Sequence, residues 1–278
     1  MFEVKMSQGA KPGKGGMLPG LKVNEEIARV RGIEPWQDSI SPNRHPEIDS
    51  VDELLDFVQH VRDVTQKPVG FKSVFGSFGW LEKLCEEVDK RGEDSAPDFI
   101  TVDSGDGGTG AAPQALMDNV GLLIRDALPA VVAVLEKYNL KDRIRIIAGG
   151  KLLNPADVAW ALCTGADFVN CGRGFMFSIG CIQAMKCNKD TCPTGVTTHN
   201  VRLQKGLDPR VKSVRAANYC AHMRSEIETI AHSCGVRSPR LLKPHHARIV
   251  QSDGMSVPLD KIKVEITSYE DETVPAQH

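Results

Sequence analysis

The sequence predicts an α/β fold built on a parallel sheet. Three observations carry that expectation. Short β-branched or apolar runs alternate with longer helical patterns, each run ends in a loop rich in glycine or polar residues, and no G-x-G-x-x-G follows the first run. Strand–helix alternation calls for crossover helices and therefore parallel strands. Loops that carry chemistry, gathered at the C-terminal ends of successive parallel strands, are the arrangement of a TIM (β/α)8-type barrel, where two glycine loops on the last two strands form a phosphate site. The missing glycine fingerprint removes the main signal for the rival, an open doubly wound sheet.

The elements follow in order. Glu3 to Ser7 reads as a strand near the start of the chain, and the loop after it, residues 8–20, holds five glycines. Val51 to about Thr65 reads as a helix, opened by Ser50 and Asp52 as capping residues. Pro68 to Val74 is a second strand and Gly79 to Lys90 a second helix. Asp98 to Asp103 is a third strand, followed by SGDGGTGAAP and a long helix from Asp118 to Tyr138. Ile144 to Ala148 leads into Gly149-Gly150-Lys151. Asn154 then caps a helix from Pro155 to Thr164, with proline at the first helical position, where its missing N–H is no loss. Asp167 to Cys171 is the fifth strand and leads into Gly172-Arg173-Gly174.

A full barrel needs eight strands, so the expectation is its C-terminal five or so β/α units, as if the first three were missing. Residues 1–200 should form this partial barrel with a cysteine loop. Residues 201–278 should form a helical extension packed on it, with a helix from about Arg210 to His232 and one weak strand, Val257 to Ile266.

The net charge of −2 over 278 residues gives no reason to expect nucleic acid or an anionic membrane surface as a partner. No apolar run approaches the ~18 residues of a membrane span. The N-terminal MFEVKMSQGAKPGKGG has no apolar signal core, and the eight cysteines are scattered, so a reducing, cytoplasmic setting is expected.

Cys181, Cys187 and Cys192 are spaced C-x5-C-x4-C, with Pro193 directly after the last. Short irregular spacing with a final Cys-Pro suits an iron–sulfur cluster better than a disulfide or a tetrahedral zinc. Three thiolates leave one cube corner without protein ligand, which suits a 3Fe-4S cluster. Structural zinc with His199 as fourth ligand, and plain buried thiols, are the alternatives.

Glycine loops expose backbone N–H groups that bind phosphate. Gly149-Gly150 and Gly172-Arg173-Gly174 are therefore phosphate candidates, with Arg173 or Lys151 adding charge, unless the glycines only make tight turns. Lys72 lies mid-strand among apolar residues, where burial is costly unless it meets an anion or reaches solvent. Lys11 and Arg31 are candidates for substrate carboxylates, although Arg31 could be a solvated helix-end charge. Asp103 and Asp106, beside Gly107 and Gly108, could hold ribityl or backbone groups, and Asp106 could equally serve a turn. His45, His245, His246 and the tryptophans read as structural.

The blocks SQGAKPGKGGMLPGLKVNEEIARVRG, ISP, DSGDGGTGAAP, the GG and GRG loops and C-x5-C-x4-C-P-x-G occur in that order. This closely resembles the FMN-binding synthase domain of glutamate synthase, over roughly Met1 to Val236. The resemblance implies a (β/α)8 barrel with FMN at its mouth and a 3Fe-4S cluster beside it. It implies formation of L-glutamate from 2-oxoglutarate and ammonia, free or glutamine-derived, by hydride transfer to 2-iminoglutarate. It implies an electron-donor protein, a ferredoxin or an NAD(P)H-dependent reductase subunit. On this resemblance Cys181, Cys187 and Cys192 are the cluster ligands and Lys72 stands at the flavin pyrimidine edge. Gly149, Gly150, Gly172 and Arg173 hold the FMN phosphate, and Lys11 and Arg31 hold 2-oxoglutarate. Met17 stands where the large glutamate synthases have glutamine, and a thioether cannot donate the amide hydrogen bond. A related flavin oxidoreductase acting on another oxo acid or amine is therefore an alternative. So is a non-catalytic half-barrel that acts only with a chain supplying the missing strands.

Overall fold

The computed structural model describes residues 1–264 and Ile266. In chain order the elements are β1 (Phe2–Lys5), β2 (Met17–Leu18), α1 (Glu25–Arg31), β3 (Ser39–Ile40), α2 (Val51–Thr65), β4 (Val69–Ser73), α3 (Gly79–Arg91), β5 (Phe99–Asp103) and α4 (Ile124–Lys137). They continue with β6 (Arg145–Gly149), α5 (Pro155–Thr164), β7 (Phe168–Asn170), α6 (Gly172–Ser178), α7 (Val201–Gln204), α8 (Pro209–Ser233), β8 (Arg248–Val250) and β9 (Ser256–Pro258).

β1, β4, β5, β6 and β7 form one parallel sheet in that spatial order. Neighbours in space follow one another along the chain with no reversal. A doubly wound sheet reverses at a switch point, whereas one-way winding is that of successive (β/α) barrel units. The α/β class and the five parallel strands are as the sequence predicts.

Strand register assigns each residue a face. Val4, Phe71, Ile100 and Ile146 stand in one row across the sheet, and all four are buried. They share one apolar core with Leu54 and Leu55 of α2, Leu81 and Leu84 of α3, Leu128 and Leu135 of α4, and Val158 of α5. The next row, Lys5, Lys72, Thr101, Ile147 and Phe168, points the other way because side chains alternate along a strand. That face is far less uniformly apolar, and Phe168 is 49 % exposed on it.

Capping explains where the helices start. Ser50 and Glu53 form a reciprocal capping box on α2, while Asn154 accepts the Asp157 N–H at the start of α5. Pro155 occupies the first turn of α5. α4 begins six residues later than its apolar pattern suggests. Asp118 has φ of 60°, its N–H bonds back to the Gly105 carbonyl, and Asp106 caps the Ile124 N–H at 2.6 Å. The loop therefore consumes residues 118–123. Gly172-Arg173-Gly174 is the first turn of α6 and not a free loop.

The two-residue strands of the antiparallel β2–β3 pair, which flank α1, are too short to show an alternating pattern, and the sequence reading passes over them. The expected strand from Val257 to Ile266 is also shortened. Only Ser256–Pro258 pairs, with β8, before Leu259–Lys261 turns as a 3-10 helix. Glu265 lies outside the described residues. Beyond the sheet, α8 packs on α5 through Ala231 against Ala159 and Cys163, and leaves Val211 and Val214 of its first half exposed. Among the described residues no helix is long and apolar enough to cross a membrane.

Candidate functional site

A cavity of about 700 Å³ opens at the C-terminal ends of β4 to β7. Lys72, Asp103, Gly149 and Asn170, each at or near the end of one of these strands, form its floor, and Arg173, Cys181, Cys187 and Cys192 are among its other lining residues. Strand-end residues and the cysteine loop thus share one cavity, although more than a hundred residues separate Lys72 from Cys181 in the sequence.

Lys72 is half-buried. Its ammonium stands 3.8 Å from Glu3 Oε1 on β1, and the other oxygen of Glu3 accepts from the Thr101 hydroxyl at 2.6 Å. Burial pushes the Asp103 carboxyl above its ordinary value, although the Gly9 N–H donates to it at 3.0 Å. Asp106 accepts from Ser104 Oγ at 2.9 Å and from the Ile124 N–H, so its carboxylate is occupied in building the loop.

The two cations beside the glycines are already anchored. Lys151 pairs with Asp118 at 2.8 Å, and Arg173 donates to the Gly108 carbonyl at 2.9 Å. The Gly107 N–H also binds Asp118, which gathers the loop after β5 and the loop after β6 onto one carboxylate. A guanidinium has five N–H donors, so Arg173 keeps others free.

The glycines fall into two kinds. A Cβ at Gly150 would overlap the Ser104 hydroxyl, and one at Gly107 would come within 2.7 Å of the Arg173 guanidinium. Packing requires glycine at Gly150, and the φ of 85° favours it at Gly107, where the Arg173 guanidinium is the far end of a flexible side chain. At Gly149 a Cβ would make only ordinary contacts, and at Gly172 it would meet nothing within 4 Å. Both line the cavity, and close approach of a ligand is what a missing side chain permits there.

Burial pushes the Cys192 thiol up, but the hydroxyls and N–H groups of Thr194 and Thr197 outweigh it and draw it down to about 6. The Thr194 hydroxyl lies 3.5 Å from the sulfur, while Thr197 Oγ1 meets no partner at hydrogen-bond geometry, so its hold on the sulfur is loose. Asn188 Oδ1 is likewise buried without a partner. Asn188 Oδ1, on the same loop as the cysteines, marks a place where a further polar group fits. Among the described residues no group of three or more His, Cys, Asp or Glu is gathered tightly enough to hold a metal ion. The His199 side chain is exposed, and its backbone N–H binds Asp190. His199 is not among the residues that line the cavity holding the three cysteines. Thiolates that each take a different iron of a cluster stand further apart than the ligands of one ion, and the lowered Cys192 thiol suits that role.

Lys11 and Arg31 do not line this cavity. Lys11 is 9 % exposed and lines a separate cavity of about 190 Å³ together with Lys5, Lys14 and Arg44. Arg31 sits exposed at the end of α1, the helix-end placement. The sequence reading missed two residues. Asp118 joins the glycine loops, and Lys22, buried in the LPGLK turn, reaches the cysteine loop. No local signal marks Lys22, since its neighbour Leu21 is itself exposed.

A family model described as the conserved region in glutamate synthase matches residues 1–237. The chain is 44 % identical over 261 residues to the glutamate synthase large subunit-like protein YerD of Bacillus subtilis, covering 94 % of this chain and 49 % of that protein. It is 35 % identical over 252 residues to the archaeal glutamate synthase (NADPH) of Methanocaldococcus jannaschii, covering 89 % of this chain and 48 % of that protein. The chain thus spans about half the length of these curated relatives. Among solved structures, the recombinant flavin-binding domain of baker's yeast flavocytochrome b2 matches at TM-score 0.45 and 19 % identity, over 79 % of this chain and 42 % of that one. Likeness at that level carries no argument about the site.

Proposed function

The chain belongs to the glutamate synthase family, and from that premise we propose that it forms part of an FMN and 3Fe-4S oxidoreductase that makes L-glutamate from 2-oxoglutarate and ammonia. One observation carries the reading: the strand-end glycines and Cys181, Cys187 and Cys192 line one cavity. When bound, the flavin supplies hydride to the carbon of 2-iminoglutarate and the cluster supplies electrons one at a time.

The chain's own residues supply position and charge. Gly149 and Gly172 leave the cavity wall open for close approach, and Gly150 keeps the wall in shape. Arg173 and Lys151, each fixed by an existing partner, favour an anion such as the FMN phosphate. Lys72, oriented by Glu3, favours negative charge on a ring above the sheet, and Asp103 accepts hydrogen bonds from a ribityl chain. Cys181, Cys187 and Cys192 hold the iron. Electrons arrive from a ferredoxin or an NAD(P)H-dependent reductase subunit. The face that carries Lys72 and Phe168 is closed by further barrel strands, from this or another chain. A cytoplasmic setting, where thiols stay reduced, suits cysteines that hold iron.

A related activity on another oxo acid or amine is the second reading. Met17 is 56 % exposed, and Lys11 and Arg31 stand outside the cavity. The test is anaerobic purification followed by a visible spectrum, iron and sulfide assays, and turnover of 2-oxoglutarate plus ammonia beside other oxo acids. Flavin bands with a broad absorption bleached by dithionite support the first reading. Equal turnover of other oxo acids supports the second, and a colourless protein after reconstitution defeats both.

A further inference from the structure

Lys22 ends a short 3-10 turn, Gly20–Lys22, just after β2. A Cβ at Gly20 would come within 2.5 Å of the Trp36 carbonyl, so this turn packs its backbone tightly and sends Lys22 inward, where it is 8 % exposed. Its ammonium donates to the Cys187 carbonyl at 2.6 Å and to the Thr197 carbonyl at 3.2 Å, and stands 3.7 Å from Asp190 Oδ1. These partners bracket Cys192. Asp190 also accepts the His199 N–H at 2.8 Å, and its carbonyl accepts the Thr198 hydroxyl at 2.6 Å. One cation therefore closes the loop from residue 187 to residue 199, from a point 165 residues earlier in the chain than Cys187.

An ammonium is not stably buried without acceptors, and here two carbonyls accept from it while one carboxylate stands at ion-pair distance. The carbonyls are uncharged, so only Asp190 offsets its charge. The ammonium is bound directly to the Cys187 carbonyl and stands 3.7 Å from that carboxylate. Positive charge and hydrogen bonds around an iron–sulfur group favour its reduced form, and outer partners fix the ligands themselves.

We infer that Lys22 is the positioning residue of the cysteine loop, fixing the backbone that carries Cys187 and Cys192 and adding a positive field at their sulfurs. This rests on the reading of the three cysteines as cluster ligands.

The experiment compares oxygen-free holoprotein of wild type, Lys22→Met, Lys22→Arg and Asp190→Asn. Lys22→Met keeps the apolar stem and removes the charge. It should lose iron to a competing chelator about 10- to 100-fold more readily. Its midpoint potential, read by electron paramagnetic resonance, should move to more negative values. Lys22→Arg should return the potential toward wild type, and Asp190→Asn, which leaves the ammonium less shielded, should move it to more positive values. A mere structural peg would not split the potential by sign between two variants. Unchanged iron retention and potential in Lys22→Met overturn the inference. A wild-type chain that binds no iron defeats the cluster reading instead, and the readout becomes hydrogen exchange of amides 187–199 in the metal-free protein. Protection there should fall about tenfold in Lys22→Met, and equal protection overturns the inference. If circular dichroism shows Lys22→Met unfolded, Asp190→Asn carries the same measurements.

Discussion

Lys72 Nζ stands 3.8 Å from Glu3 Oε1, and the Thr101 hydroxyl holds the other oxygen of the same carboxylate. One carboxylate from β1 thereby ties together side chains from β4 and β5 on the face opposite the apolar core. Lys72 and Thr101 are register partners, while Glu3 stands opposite Gly70, two residues before Lys72 on the same face, so its side chain reaches along the strands to meet both.

Removing the lysine separates its two possible roles. Glu3 keeps Thr101 as a partner in Lys72→Met, and an ion pair this exposed contributes at most about 1 kcal/mol to stability. The melting temperature should therefore change little. Affinity for FMN should fall about tenfold or more, the worth of one hydrogen bond to a charged group. Flavin fluorescence quenching on titration measures it, and unchanged affinity would place Lys72 outside the flavin site.

The two kinds of glycine should behave oppositely. Gly150→Ala forces a methyl into the Ser104 hydroxyl and should cost about 1–3 kcal/mol of stability. Gly172→Ala meets open space and should leave stability within about 0.5 kcal/mol. The Gly172→Ala methyl should instead weaken FMN binding about tenfold or more. Thermal melts beside flavin titrations read both, and normal flavin binding by Gly172→Ala counts against a ligand at that wall.

Cysteine replacement tests the cluster assignment directly. Cys181→Ser, Cys187→Ser and Cys192→Ser should each bring bound iron close to zero, whereas Cys220→Ser, exposed on α8, should retain it. Iron and sulfide content of oxygen-free preparations decides the matter. Retention in any of the first three removes that residue from the ligand set.

Asp103 gives a pH dependence whose sign follows from its burial. Its folded-state value is raised, so it weakens the fold at neutral pH, and its contribution is most favourable when protonated, below the ordinary carboxylate range. Asp103→Asn should raise the melting temperature at pH 7. The advantage over wild type should shrink as pH falls through the carboxylate range, where both states of wild type become protonated. A constant difference from pH 7 to pH 3 would contradict this.

Much of the architecture was legible residue by residue. Ser50, Asn154 and Pro155 announce the starts of α2 and α5 because capping is a local interaction, readable from neighbours in sequence. Five apolar runs announce the sheet because alternation is local too. The start of α4 was not legible, since Asp106, eighteen residues upstream, binds the Ile124 N–H and decides where that helix begins. The β2–β3 pair was too short to leave a pattern.

The candidate site divides along the same line. The amino-acid order alone determined the α/β class, the five parallel strands, the cysteine triplet and the strand-end glycines, because each is written within a few consecutive residues. Only the tertiary structure decided that the cysteines share a cavity with Lys72, that Lys11 and Arg31 lie outside it, and that Lys22 reaches the Cys187 carbonyl. Those facts depend on how separate segments are brought side by side by register and packing, and no local pattern encodes the distance between them.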